Sequence, residues 1–148
     1  MLSKRNISIW GIVGFLFLFV VSLTFVNATE QILTHIDEIL KANPLPAGEK
    51  AQTVTIAQDD AISLLVLRAT EGVVIKSHLH KTHDETVYVI KGTAQMFIND
   101  KWVDVKPGTL HFNPMGKVHS LKVTGNEPLV AISIFTPAMK EPDRHFVE

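Results

Sequence analysis

The sequence predicts an all-β domain, an antiparallel sandwich or barrel, preceded by a short helix. Beyond Lys50 the chain consists of short apolar and β-branched runs separated by Gly, Pro, Asn and Asp. Nine such runs follow one another closely without a helical pattern between them, as is typical of antiparallel sandwiches and barrels. Asn99-Asp100 is predicted as a hairpin turn. The predicted strands are Thr53–Ala57, Ser63–Ala69, Val73–Ser77, Thr86–Lys91, Ala94–Ile98, Lys101–Val105, Thr109–Asn113, Val118–Val123 and Leu129–Phe135.

One helix is predicted from Glu30 to Ala42. The Asn-Pro-Leu-Pro segment at 43–46 ends it, because proline disfavours helical backbone in the residue before it. Its polar face is acidic, which favours packing against the domain over binding to a membrane surface. The apolar residues at helical spacing are Ile32, Leu33, Ile36, Ile39 and Leu40.

Length and composition limit the classes of function. A chain of 148 residues is long enough for one domain with its own hydrophobic core. The formal net charge of −1 at pH 7 provides no electrostatic basis for binding nucleic acid. Cysteine is absent, so disulfides and thiolate chemistry are excluded. Any metal must therefore be bound by histidine, carboxylate or backbone oxygen.

The N-terminal segment has the features of a secretory signal peptide. Lys4 and Arg5 precede a continuous apolar run, and a small-residue cleavage pattern ends at Ala28. We expect cleavage after Ala28 and export to the periplasm or the medium. The alternative is an uncleaved membrane anchor, since about 20 apolar residues can span a bilayer. The predicted organisation is a signal peptide at 1–28, a helix and linker at 29–48, and the β domain at 49–148.

The stretch HLHKTHDE at 78–85 holds three of the seven histidines. In an extended strand His78 and His80 point to one face, whereas on a helix they would diverge by about 200°. Glu85 follows a loop at the start of the next strand, and His119 begins a strand far downstream. Three imidazoles and one carboxylate suit a divalent transition metal that keeps open positions for water or substrate. Because His-x-His pairs also occur on solvated strands, the spacing alone leaves both interpretations open.

Two longer patterns contain these residues. The first pattern resembles the first conserved motif of the cupin superfamily, and it reads Gly72, five residues, His78-x-His80, four residues, Glu85, six residues, Gly92. The second pattern resembles the second conserved motif of that superfamily, and it reads Gly108, five residues, Pro114-x-Gly116, two residues, His119. The resemblance implies a double-stranded β-helix, which is a small jelly-roll barrel. It also implies one divalent metal ion (Fe, Mn, Ni, Co, Cu or Zn) bound by His78, His80, Glu85 and His119.

Strand alternation places other side chains near these ligands. Four apolar residues share faces with them and are expected to line the pocket, namely Val87, Val89, Leu121 and Val123. Val123 stands where the second motif usually ends in Asn, which makes the expected pocket drier. This lining favours a small aromatic or aliphatic oxygen compound over a sugar. Candidates for contacts behind the ligands are His83, His111 and Asn113. The alternatives are a surface loop for His83 and the outer sheet face for His111 and Asn113.

The resemblance implies a metal-dependent enzyme, because similar single-domain cupins include dioxygenases, oxalate-processing enzymes, lyases and sugar isomerases. Glu85 would then be an anionic ligand and a proton acceptor. The alternative is an exported binding module that captures a metal or small ligand without turnover. The expected partners are a small molecule and, by resemblance, a second copy in a homodimer. A membrane would be contacted only through an uncleaved N-terminal segment.

Overall fold

The chain folds into one helix and ten strands over residues 31–147, the part that this computed structural model describes. The predicted signal peptide at 1–28 lies outside the described residues. Within 31–147 no helix has the length and apolarity needed to cross a bilayer. The elements are α1 (Ile36–Ala42), β1 (Ala51–Gln58), β2 (Ser63–Ala69), β3 (Val74–Leu79), β4 (Asp84–Lys91), β5 (Ala94–Ile98), β6 (Lys101–Val105), β7 (Leu110–Asn113), β8 (His119–Val123), β9 (Leu129–Thr136) and β10 (His145–Phe146).

The strands form two five-stranded antiparallel sheets that face each other. One sheet has the order β1-β2-β9-β4-β7 and the other the order β10-β3-β8-β5-β6. The chain passes from one sheet to the other between β2 and β3, and again at most of the later connections. Neighbouring strands therefore come from distant parts of the sequence, and the prediction of a double-stranded β-helix is confirmed.

The predicted strands are all present, with ends within two residues of the predicted ones. The predicted hairpin turn has φ of 48° at Asn99 and 62° at Asp100. Positive φ at both central residues matches a type I′ turn, whose twist fits the flanking strands. Ile98 pairs with Lys101 across it, which sets the register of β5 and β6.

The hydrophobic core fills one end of the barrel, away from the histidines. On β8, His119 begins the strand and Val123 ends it, and Val123 pairs with Ala94 of β5. The ends of the strands near Val123 enclose the core, while the ends near His119 surround a cavity. The buried cluster consists of Ala69, Val89, Ala94, Met96, Val105, Leu121, Val123 and Leu129.

Two elements differ from the predictions. The helix begins at Ile36 and buries none of its residues, and Leu33, which lies before it outside any helix or strand, is 96% exposed. Polar contacts hold this region instead, since Arg68 donates to the carbonyl of Asn43 at 2.8 Å. The C-terminal tail also contains a strand that is not among the nine predicted ones, since β10 pairs with β3 through Phe146 and His78. A two-residue strand is too short to have a recognisable alternation.

Candidate metal centre

Three histidines converge at the open end of the barrel. His78 on β3 and His119 on β8 are direct partners across the ladder, and their ring centroids are 4.1 Å apart. His80 follows β3 immediately, and its ring centroid is 5.3 Å from each of the other two. One ligand atom from each ring lies within 4.8 Å of the others, so this group could hold a metal ion.

Each of the three rings is oriented by a main-chain carbonyl. Nδ1 of His78, His80 and His119 lies within hydrogen-bond distance of such an oxygen, to which an Nδ1–H donates. At His78 and His80 this contact leaves the lone pair on Nε2, the arrangement found in metal-binding histidines. The carbonyls belong to Lys76 at 2.7 Å, Asp143 at 2.8 Å and Lys117 at 3.1 Å, respectively.

Burial favours the neutral form of two of these rings. Burial lowers the pKa of His78 to about 4. Burial also lowers the pKa of His80, although the negative charge of Glu85 acts in the opposite direction. Neutral imidazoles are the form that binds a metal, so protons compete little for Nε2 of His78 near neutral pH.

Glu85 lies beside the histidines on β4. One of its carboxylate oxygens, Oε2, is 3.2 Å from Nε2 of His119 and 3.8 Å from Nε2 of His80. Burial raises the pKa of Glu85, but the hydrogen bond and charge of His119 and the charge of His80 outweigh it. The net effect is a pKa below the ordinary value for glutamate, so the carboxylate is anionic.

These donors fit a divalent transition metal. Nε2 of His80 is buried and has no hydrogen-bond partner among the described residues. A buried polar atom without a partner costs about 1–3 kcal/mol, and a bound cation would provide its partner. Three imidazoles with an adjacent carboxylate are the donor types expected for Fe, Mn, Co, Ni, Cu or Zn.

The centre opens into a cavity of about 670 Å³. His78, His80, Glu85 and His119 all contribute to its wall. The barrel interior also supplies an apolar surface to this wall, formed by Leu65, Leu67, Ile75, Val87, Met96, Leu121 and Phe135. A second, polar surface comes from Thr53, Thr55, Gln58, Ser63, Ser120 and Ser133. The cavity is therefore less uniformly apolar than the sequence suggested.

Of the four residues predicted to line the pocket, Val87 and Leu121 do so. Val89 and Val123 lie in the hydrophobic core instead, each 1% exposed, and are not part of the cavity wall. Strand alternation identifies the inward face correctly but not the depth. Two residues further along a strand is a displacement of about 7 Å, enough to move a side chain from the cavity into the core.

His111 and Asn113 point into the barrel, which excludes the outer-face alternative. On β4, Val87 pairs with His111 and Glu85 with Asn113, and paired residues share a face. The amide nitrogen of Asn113 lies 2.5 Å from Nδ1 and 3.2 Å from Nε2 of His119. Burial lowers the pKa of His111, whose Nε2 is buried without a hydrogen-bond partner among the described residues.

His83 is buried rather than on the surface. Its Nδ1 lies 2.8 Å from Oδ2 of Asp143, and its Nε2 lies 3.2 Å from the carbonyl of Ala138. Both contacts reach the C-terminal segment, residues 137–147, which we call the C-terminal strap. The strap contributes Met139, Lys140, Glu141, Pro142, Asp143 and Arg144 to the cavity wall.

The strap was missed as part of the site by sequence reasoning. Its residues lie far along the chain from the histidines and follow no periodic pattern or metal-binding spacing. The one available signal was Asp143 within a charged, proline-containing tail, and such a tail is more often a solvated terminus.

Residues 65–135 match the family model described as Cupin domain. The chain belongs to the cupin superfamily. A solved structure with the same fold is an uncharacterized conserved protein with a double-stranded beta-helix domain from Klebsiella pneumoniae. This cupin superimposes on it with a TM-score of 0.65 at 25% identity, covering 74% of this chain and 88% of that chain.

Two further similar proteins have names that state an activity. Glucose-6-phosphate isomerase from Thermococcus onnurineus is 36% identical over 67 residues, which are 40% of this chain and 35% of the isomerase. The present cupin thus spans about a third of that relative's length. A predicted oxalate decarboxylase from Thermotoga maritima has the same fold, with a TM-score of 0.56 at 22% identity, covering 59% of this chain and 80% of that chain.

Proposed function

We propose that this cupin is an exported metal-dependent enzyme that acts on a small oxygen-containing substrate, with dioxygenase-like chemistry. The observation that carries the proposal is the convergence of one ring nitrogen from each of three histidines, with the Glu85 carboxylate beside them, at the wall of a cavity of about 670 Å³. Cavities of this size suit small molecules, and apolar walls with a few convergent polar groups are typical of ligand sites.

His78, His80, His119 and Glu85 would hold the metal, which would supply a Lewis acid that binds and polarises substrate oxygens. Glu85 is also the candidate proton acceptor, because its carboxylate is anionic and lies at the cavity wall beside the histidines. The apolar surface would exclude water and contact the body of the substrate. Thr53 and Thr55, on the polar surface, would orient its polar end. A substrate with both apolar and oxygen-bearing parts matches these two surfaces.

The test begins with the metal content of the purified protein. Stoichiometric Fe, Mn, Co, Ni, Cu or Zn is expected in the wild type, and it should be lost in His78→Ala and His119→Ala. His35→Ala is the matched control, because His35 is exposed and is not part of the cavity wall. Unchanged metal content in the His78 and His119 variants would refute the proposed centre.

Activity is then measured as oxygen uptake and product formation on catechols, flavonols, diketones and oxalate. Glu85→Gln keeps the size of the side chain but removes the negative charge and the proton acceptor. We expect this variant to lose turnover by a larger factor than it loses metal. Full metal occupancy without turnover on any of these substrates would contradict the enzyme proposal while leaving the metal centre intact.

A binding module without turnover is the second candidate, and the charged groups at the cavity favour it. Besides the metal-site residues, the described cavity wall contains four titratable side chains, those of Lys140, Glu141, Asp143 and Arg144. Lys140 pairs with Asp60, and Asp143 is hydrogen-bonded to Thr82 and His83. Two of these four groups are therefore engaged in contacts of their own, whereas many enzymes need a second acid or base that is free to act at the reacting centre. Isothermal titration with the same compounds distinguishes binding without conversion from turnover.

Export is part of the proposal and rests on the segment at 1–28. The mature N-terminus is expected at Thr29, as determined by mass spectrometry of the protein from its native compartment. A membrane-bound chain that begins at Met1 would instead support the anchor.

A further inference from the structure

The C-terminal strap contributes to the cavity wall between two attachments, one on each sheet. At one end, the main chain of Met139 donates to Oγ of Ser63 at 2.9 Å and accepts from Nε2 of Gln58 at 2.8 Å. At the other end, Asp143 is buried against the loop that follows β3, and β10 then pairs with β3. The first attachment is on the sheet that contains β2, and the second is on the facing sheet.

Asp143 makes the densest set of contacts in the strap. Its Oδ2 accepts from the main-chain N–H of Thr82 at 2.8 Å, from Oγ1 of Thr82 at 2.7 Å and from Nδ1 of His83 at 2.8 Å. Its Oδ1 accepts from Nε2 of His145 at 2.9 Å. Burial raises the pKa of Asp143, but the hydrogen bonds from His83 and Thr82 outweigh it and hold the pKa well below its usual range.

The same residue also contacts the metal centre through its main chain. The carbonyl oxygen of Asp143 accepts from Nδ1 of His80 at 2.8 Å, across 63 positions of sequence. His80 is the ring whose Nε2 is buried without a partner among the described residues. The carboxylate therefore fixes the strap to the loop, and the carbonyl fixes the orientation and the tautomer of His80.

We propose that Asp143 is a positioning residue of the metal centre, which couples docking of the C-terminal strap to metal binding at His80. This inference rests on the proposed metal centre and assigns the strap a role in it. Coupling is reciprocal, so metal should hold the strap in place by the same factor by which the docked strap raises metal affinity. Residues that orient metal-binding histidines typically change metal affinity by about 10–100-fold when replaced.

The test compares Asp143→Ala and Asp143→Asn with Asp60→Asn. Asp60 also contacts the strap, through Lys140 at 2.6 Å, but its side chain is 96% exposed and the pair lies outside the metal centre. Zinc affinity is measured by competition with a chromophoric chelator. We expect a loss of about 10–100-fold for Asp143→Ala, a smaller loss for Asp143→Asn, and a change below about twofold for Asp60→Asn.

Two further measurements separate positioning from a general loss of stability. Nitrogen-15 spectra of the histidine side chains in the metal-free protein report which ring nitrogen carries the proton. We expect His80 to be protonated on Nδ1 in the wild type and to become a mixture of tautomers in Asp143→Ala. Trypsin cleaves after Lys140 and Arg144 within the strap, and zinc should slow this cleavage in the wild type more than in Asp143→Ala.

Equal zinc affinities in folded wild type and Asp143→Ala would overturn the positioning role while leaving the metal centre intact. If Asp143→Ala fails to fold, Asp143→Asn decides, and an affinity equal to that of the wild type would overturn the proposal in the same way. A wild type that binds no zinc or other tested metal would refute the metal centre itself. Metal binding without turnover would contradict only the proposed enzyme activity.

Discussion

Gly92 and Gly72 provide a matched test of how the barrel is closed, because they have the same backbone conformation in different surroundings. Their φ values are +75° and +76°. A side chain in this left-handed region costs about 1–2 kcal/mol, so both Gly→Ala variants should lose stability from backbone strain. A Cβ added at Gly72 would meet nothing within 4 Å, so strain is the whole expected effect there.

At Gly92 the added Cβ would also collide with β9. It would lie 2.8 Å from Cα of Leu129, 2.8 Å from the carbonyl oxygen of Pro128 and 2.9 Å from the nitrogen of Leu129. These are main-chain atoms at the start of a central strand, so they cannot move aside as a flexible side chain would. Overpacking of this kind typically costs a further 1–3 kcal/mol or so. We therefore expect a loss of about 1 kcal/mol for Gly72→Ala and about 3 kcal/mol for Gly92→Ala.

The assay is urea denaturation of the metal-free protein, followed by circular dichroism. Thermal melts should show the same order, since 1 kcal/mol shifts the Tm of a domain of this size by roughly 4 °C. Equal losses for the two variants would contradict this expectation, because the positive φ is shared and only the approach of Leu129 differs. A smaller loss at Gly92 than at Gly72 would refute it as well.

Three other outcomes follow from the site and the core. The metal-free protein should lose stability as the pH falls from 6.5 to about 4, and His78 should account for at most about 3 kcal/mol of this loss. Burial lowers the pKa of His78 in the folded protein, so in this pH range the His78 imidazole is protonated only in the unfolded chain. Urea denaturation across this pH range checks it, and a profile for His78→Gln as steep as that of the wild type would contradict it. Removing metal with a chelator should lower the Tm, as measured by thermal melts. Zinc at 100 times its Kd should then raise the free energy of unfolding by about 2.7 kcal/mol. His119→Ala should lack this response, and a normal response would be inconsistent with the centre. Val89→Ala should lower the free energy of unfolding by about 2 kcal/mol, because Val89 is 1% exposed. Val103→Ala should lower it by less than about 0.5 kcal/mol, because Val103 is 43% exposed. Thermal melts that are similar for the two variants would count against the placement of the core.

Local patterns in the sequence carried most of the information on the strands. The runs from Thr53 to Phe135 alternate with turn residues, and each signal is contained within a few neighbouring positions. Alternation also placed His78 and His80 on one face. The superfamily resemblance added Glu85 and His119, and the structure brings His119 into the group with the other two histidines. The role of Glu85 as a ligand stays a prediction.

The amino-acid pattern alone predicts the β architecture and the shared face of His78 and His80, and the resemblance to cupins adds His119 to them. Tertiary structure alone decided which inward residues reach the cavity, since Val87 lines it and Val89 is buried in the core. It also decided that Asp143 contacts His80 and His83, over 63 and 60 positions of sequence. Periodicity reports the face of a strand but not the depth along the barrel. A contact between distant segments has no local pattern, because it is created only when the whole chain folds.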